Sequence, residues 1–144
     1  MRVLGIDYGE KRMGIAISDA TGTIASGVAV IGRSGSISAD LKELKQIIKK
    51  YGGVDEIVIG LPKTLKGEIG ASAKLVLSFV DELKGEISVP ITTWDERYST
   101  VAVERVLKEA NLSRARRKMV VDKSAAVYLL QGYLEFNAGR GSRS

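Results

Sequence analysis

The chain opens on a short apolar run, RVLGIDY (2–8), without polar alternation, the pattern of a strand buried on both faces. RMGIAISD (12–19) repeats it after a short link, and IASGVAVIG (24–32) repeats it again after the turn DATGT. Short links of this kind predict hairpins, so the first three strands are expected to be antiparallel. GRSGS reads as a flexible connection. Ile37, Leu41, Leu44, Ile48 and Tyr51 then recur at helical spacing, and Gly52 predicts the stop. VDEIVIG (54–60) predicts a fourth strand and LPKTLKGE a loop. Ile69, Ala73, Val76, Val80 and Leu83 mark a second helix, and ISVPITTW (87–94) a fifth strand. STVAVERVLKEA (99–110) predicts a helix capped by Ser99 or Thr100. NLSRARRKM reads as a basic connection, and DKSAAVYLLQGYLEF (122–136) as the last helix.

The helical crossovers make the fourth and fifth strands parallel to the first. The expected fold is therefore α/β: a mixed five-stranded sheet, three antiparallel strands then two parallel, flanked by helices. One domain over 1–137 accounts for the pattern. The small, polar and basic residues 138–144 read as a disordered tail.

Composition narrows the chemistry more than the fold. The chain has 144 residues, 44% hydrophobic and 27% charged, which suits one ordinary globular domain. It has no cysteine and no histidine. That excludes disulfides, thiolate or imidazole zinc sites, thiol nucleophiles and a Ser-His-Asp triad. Any metal must be held by oxygen, which points to Mg²⁺ or Mn²⁺. The formal net charge of +5 fits a polyanionic partner such as nucleic acid. No apolar run approaches membrane-spanning length, and MRVLGID enters a strand at once, so neither a membrane span nor a signal peptide is expected. The expected location is the cytoplasm.

In open α/β sheets, sites form outside the carboxyl ends of the parallel strands. The first strand ends near Asp7, the fourth at IGLPK, and the fifth at WDER with Asp95, Glu96 and Arg97. Asp122 lies at the end of the core-facing stripe of the last helix. Taken singly, Asp7 reads as a turn aspartate, Asp95–Glu96 as a solvated pair and Asp122 as a helix N-cap. Together they converge on one edge, where like charges need a cation to neutralise them. Lys11, Arg12, Lys63, Lys66 and Arg97 surround that edge as candidate phosphate contacts, and Arg114, Arg116 and Arg117 form a basic flap before Asp122.

Four segments, GIDYGEKRMGIAISD, IVIGLP, DERYST and DKSAAVYLLQGYL, together resemble the YqgF/RuvX family of RNase H-like nucleases, relatives of RuvC-type Holliday junction resolvases. They follow that family's order and spacing over about the whole chain. The resemblance implies an RNase H-like fold and a divalent-metal nuclease that trims the 5′ end of pre-16S ribosomal RNA. Holliday junction resolution is the alternative. Its partners would be pre-rRNA or branched DNA, with the chain a monomer or a homodimer. Carried over by position, Asp7, Glu96 and Asp122 are the implied catalytic and metal-binding acids. RuvC-type relatives place their second acid at the end of the fourth strand, where this chain has Gly60. An acid of DER then substitutes, and Asp95 competes with Glu96. Neighbours on a strand point to opposite faces, so only one reaches the site, and the family match favours Glu96.

Two rival functions fit parts of the sequence. An ATP-binding phosphotransferase could use the Gly-containing first hairpin to cradle phosphate, but the chain lacks both GxxxxGK[ST] and GxGxxG. A non-catalytic nucleic-acid-binding module could use the basic face, but the three acids would repel phosphate.

Overall fold

The computed structural model describes residues 1–62, 69–95 and 114–141, with the side chains of the last segment described over 125–138. Its strands are β1 (Val3–Tyr8), β2 (Arg12–Ser18), β3 (Ala25–Gly32), β4 (Glu56–Leu61) and β5 (Ile91–Asp95), in the order β3-β2-β1-β4-β5. The pairs β1–β2 and β2–β3 are antiparallel, while β1–β4 and β4–β5 are parallel. The mixed sheet expected from hairpins and crossovers is the sheet observed. The helix expected over 99–110 lies outside the described residues.

Helix α1 (Ile37–Lys50) connects β3 to β4, α2 (Ala71–Glu86) connects β4 to β5, and α3 (Arg114–Gly141) follows β5. The Ser36 side chain caps α1 by accepting from the Ala39 N–H, and Lys49 and Lys50 complement the dipole at its other end. Gly52, at φ +79°, stops the helix as its position predicted.

The sheet divides the core in two. One face carries Leu4, Ile6, Tyr8, Ile57, Ile59 and Leu61 against α1 and α2, with Phe79 at the centre of the α2 contact. Tyr8 and Phe79 stack with ring centroids 4.0 Å apart. Truncating Phe79 to Ala would cost about 3–5 kcal/mol. The other face carries Val3, Ala16 and Val58 against Ala126, Leu130, Tyr133 and Leu134 of α3.

Several boundaries differ from the sequence pattern. Ile69 lies before α2 and is exposed, and Phe79 completes the buried stripe instead. β5 begins at Ile91 rather than 87, because Pro90 has no N–H for the ladder; its carbonyl still accepts from the Ile57 N–H at 2.9 Å. α3 is described from Arg114, so residues 114–119 of the stretch expected as a basic connection are helical turns. Arg, Ala, Lys and Met are strong helix formers, and propensity outweighs the cap signal expected at Asp122. At its other end α3 continues to Gly141, so residues 138–141, expected within the tail, are helical.

Candidate active site

The pleat of β1 sorts its side chains. Val3, Gly5 and Asp7 alternate with Leu4, Ile6 and Tyr8, so Asp7 shares the face on which α3 packs. It is partly buried, and among the described residues no group donates a hydrogen bond to its carboxylate.

Gly5 lets α3 lie directly on β1. A Cβ built there would come within 2.8 Å of the Leu130 Cβ and 3.4 Å of the Ala126 carbonyl oxygen. At the start of the strands, the Tyr133 hydroxyl donates a short hydrogen bond to Glu56, the register partner of Val3. Glu56 also accepts from the Thr92 hydroxyl at 2.9 Å. Thus α3 runs antiparallel to β1, from Ala126 over Gly5 to Tyr133 over the strand starts. One helical turn before Ala126 is position 122, about 6 Å back along the axis. Two strand residues past Gly5 is Asp7, about 6.6 Å on. The backbone at position 122 is therefore level with Asp7. It lies inside α3, so Asp122 is not the helix N-cap that its isolated sequence context suggested.

Strand register also separates the two acids of WDER. Trp94 pairs with Gly60 and packs on Tyr133, with centroids 5.4 Å apart, on the α3 face. Asp95 pairs with Leu61, which belongs to the α1/α2 core, so the pleat turns it away from the face of Asp7. Glu96, Arg97, Lys63 and Lys66 lie outside the described residues. Arg114, Arg116 and Arg117 occupy the first turns of α3, with side chains outside those described. Lys11 and Arg12 sit where the β1–β2 turn enters β2, beyond the end of β1. Among the described residues no three acids form a metal-binding group. The donors that remain are oxygens alone, a set suited to a hard divalent cation.

One cluster went unread in the sequence. The Arg33 guanidinium donates from Nη1 to the carbonyls of Gly9 and Glu10, both at 3.1 Å, and lies 4.4 Å from the centre of the Tyr8 ring. Its Nε faces Asp40 Oδ2 at 3.4 Å, and Asp40 is buried. GRSGS offered no periodic signal, and Asp40 looked like an ordinary first-turn acid. The strand-interior Gly5, by contrast, was a readable mark of close backbone approach.

Among the described residues no helix is long and apolar enough to cross a membrane. Solved structures with the same fold include Thermus thermophilus RuvC in complex with a Holliday junction substrate, at TM-score 0.58 and 16% identity over 96% of both chains. The fowlpox virus Holliday junction resolvase matches at TM-score 0.55 and 15% identity, over 94% of this chain and 98% of that one. The fold is thus RNase H-like, as the resemblance implied. Curated relatives are much closer in sequence. Proteins named "Putative pre-16S rRNA nuclease" are 49% identical in Clostridium novyi, over 94% of this chain and 98% of the relative, and 51% identical in Clostridium acetobutylicum, over 93% and 98%. A family model described as RuvX, Holliday junction resolvase, matches residues 1–136, and the chain belongs to that family.

Proposed function

We propose that this chain is a divalent-metal nuclease of the cytoplasm that hydrolyses phosphodiesters of nucleic acid, with the 5′ region of pre-16S ribosomal RNA as its substrate. The observation that carries this reading is the Asp7 carboxylate: partly buried, on the α3 face, without a described hydrogen-bond donor, and level with position 122. A carboxylate in that setting has an unmet need for a cation. Asp7 and Asp122 supply two of the acids. Glu96 is the third on the family match at DER, and the turn of Asp95 toward the α1/α2 face supports that choice. Mg²⁺ or Mn²⁺ held by such acids would supply an activated water and stabilise charge on the leaving oxygen.

The remaining work falls to cations of this chain. Lys11 and Arg12 flank the end of β1, and the first turns of α3 bring Arg114, Arg116 and Arg117 up to Asp122. These would neutralise substrate phosphates and orient the scissile bond, and Lys63, Lys66 and Arg97 extend the same set. The relatives' names support the RNA substrate, at about half identity over nearly the whole chain.

The family description favours a second reading, resolution of four-way DNA junctions. Symmetric resolution needs two sites, hence a homodimer. Cleavage of labelled pre-rRNA and junction DNA side by side, with Mn²⁺ and with EDTA, decides between them. The proposal expects EDTA-sensitive cutting of the RNA. Junction cutting alone selects the second reading, and binding without cutting in Mn²⁺ overturns both.

A further inference from the structure

We propose that Arg33, held by the buried Asp40, is a positioning residue that sets the β1–β2 turn and thereby the aim of the Asp7 carboxylate and of Lys11. The contacts are unusually concentrated. Arg33 touches every residue from position 8 to position 11: its guanidinium lies over the Tyr8 ring, its Nη1 reaches the Gly9 and Glu10 carbonyls, and its backbone N–H donates to the Lys11 carbonyl at 2.9 Å. These residues follow Asp7 directly. Within the turn itself, the Gly9 N–H donates to the Arg12 carbonyl at 2.8 Å.

Asp40 holds the clamp from behind. It faces Arg33 Nε and accepts from the Ser34 N–H at 3.2 Å and the Ser34 hydroxyl at 3.3 Å, from the first turn of α1. The guanidinium thus joins three elements: the β1–β2 turn, the β3–α1 connection and α1. A planar fork with fixed donor directions can satisfy two carbonyls and a carboxylate while stacking on a ring, which a lysine ammonium cannot do. Tyr8 supplies the platform. It is buried against Phe79, and burial pushes its phenol pKa up. Its hydroxyl has no described partner, so the ring and not the hydroxyl is what the clamp uses.

A ligand carboxylate is only as well aimed as the groups that fix its backbone. The link to activity rests on the reading of Asp7 as a metal ligand; the clamp itself does not, so the test has two readouts. Arg33→Lys is the main variant, because it keeps a positive charge beside Asp40 and spares the fold. Amide exchange over residues 9–12 should become about tenfold faster, with exchange in 4–6 and 57–59 unchanged. The Mn²⁺ concentration for half-maximal cleavage should rise several-fold, with most of kcat recovered at saturating Mn²⁺. Tyr8→Phe, which keeps the ring, should leave both readouts as they are.

Unchanged exchange over 9–12 in Arg33→Lys overturns the clamp. Exchange that accelerates equally in the core strands also overturns it, as that marks general loosening. Faster local exchange with an unaltered Mn²⁺ requirement overturns the link to Asp7. If the parent protein shows no metal-dependent cleavage, the proposed function fails while the exchange data still decide the clamp.

Discussion

Two aspartates close the two ends of the β1–β2 hairpin, and their surroundings are opposite. Asp19, just beyond β2, accepts from the Thr21 hydroxyl at 2.7 Å, the Thr23 N–H at 2.8 Å and the Ile24 N–H at 3.1 Å. Its carboxylate is occupied by its own turn. Asp7, at the other end, accepts from no described donor, and the turn beyond it is held by Arg33 instead. A sequence that places an acid at each end of a hairpin offers no way to rank them. The hydrogen bonds do: Asp19 builds its own turn, and Asp7 accepts from no described donor.

The sharpest way to break this comparison is to neutralise each acid in turn. Asp7→Asn keeps the shape and removes the charge, and it should lower cleavage by about a thousandfold or more while the melting temperature holds. Asp19→Asn should leave cleavage at neutral pH unchanged. Metal-dependent turnover surviving in Asp7→Asn, measured on labelled RNA, would sink the metal-site reading. The same logic separates the acids of WDER. Glu96→Gln should cost about a hundredfold and Asp95→Asn less than about tenfold, because the ladder turns Asp95 toward the Leu61 face. The reverse ranking would make Asp95 the ligand.

A smaller effect sharpens the role of α3. Gly5→Ala would push its Cβ to 2.8 Å from the Leu130 Cβ, with the Ala126 carbonyl also close. Overpacking of this kind costs roughly 1–3 kcal/mol. It should lower the melting temperature by several degrees and reduce cleavage, since α3 carries Asp122. Stability lost without any loss of cleavage would detach α3 from the site.

The basic turns of α3 are expected to act on binding alone. Arg114, Arg116 and Arg117 changed together to Ala should lower the salt slope of log K by about two to three units on nucleic acid. An unaltered slope returns those residues to the solvated surface and leaves the phosphate path to Lys11, Arg12, Lys63 and Lys66.

What was legible in advance follows from range. The strand order depended on link length and crossover handedness, which are local or general rules, and the sheet follows them. The last helix was read too short at its start. An acid before an apolar stripe looks like a cap, and nothing in RARRKM punctuates the chain. The face taken by Asp95 needed the register, since alternation says that neighbours on a strand differ but not which of them faces α3. Arg33 was illegible because its partners at 8–11 and 40 are assembled by tertiary folding.

The last prediction concerns Asp19, the structural member of the pair. Hydrogen bonds from the Thr21 hydroxyl and from the Thr23 and Ile24 N–H groups hold its pKa at about 2, against an ordinary value of 3.8. A carboxylate whose pKa falls on folding stabilises the native state wherever it is ionised in the unfolded chain. Its contribution is therefore whole above pH 3.8 and drains away as pH falls through about 2. An amide in its place keeps one acceptor but no charge, so its hydrogen bonds do not weaken with acid. Denaturation midpoints of the parent protein and Asp19→Asn should differ by a constant amount at neutral pH and converge between pH 4 and pH 2. A gap for Asp19→Asn that stays constant down to pH 2 would mean that the turn gains nothing from the charge, and that the two acids differ in position alone.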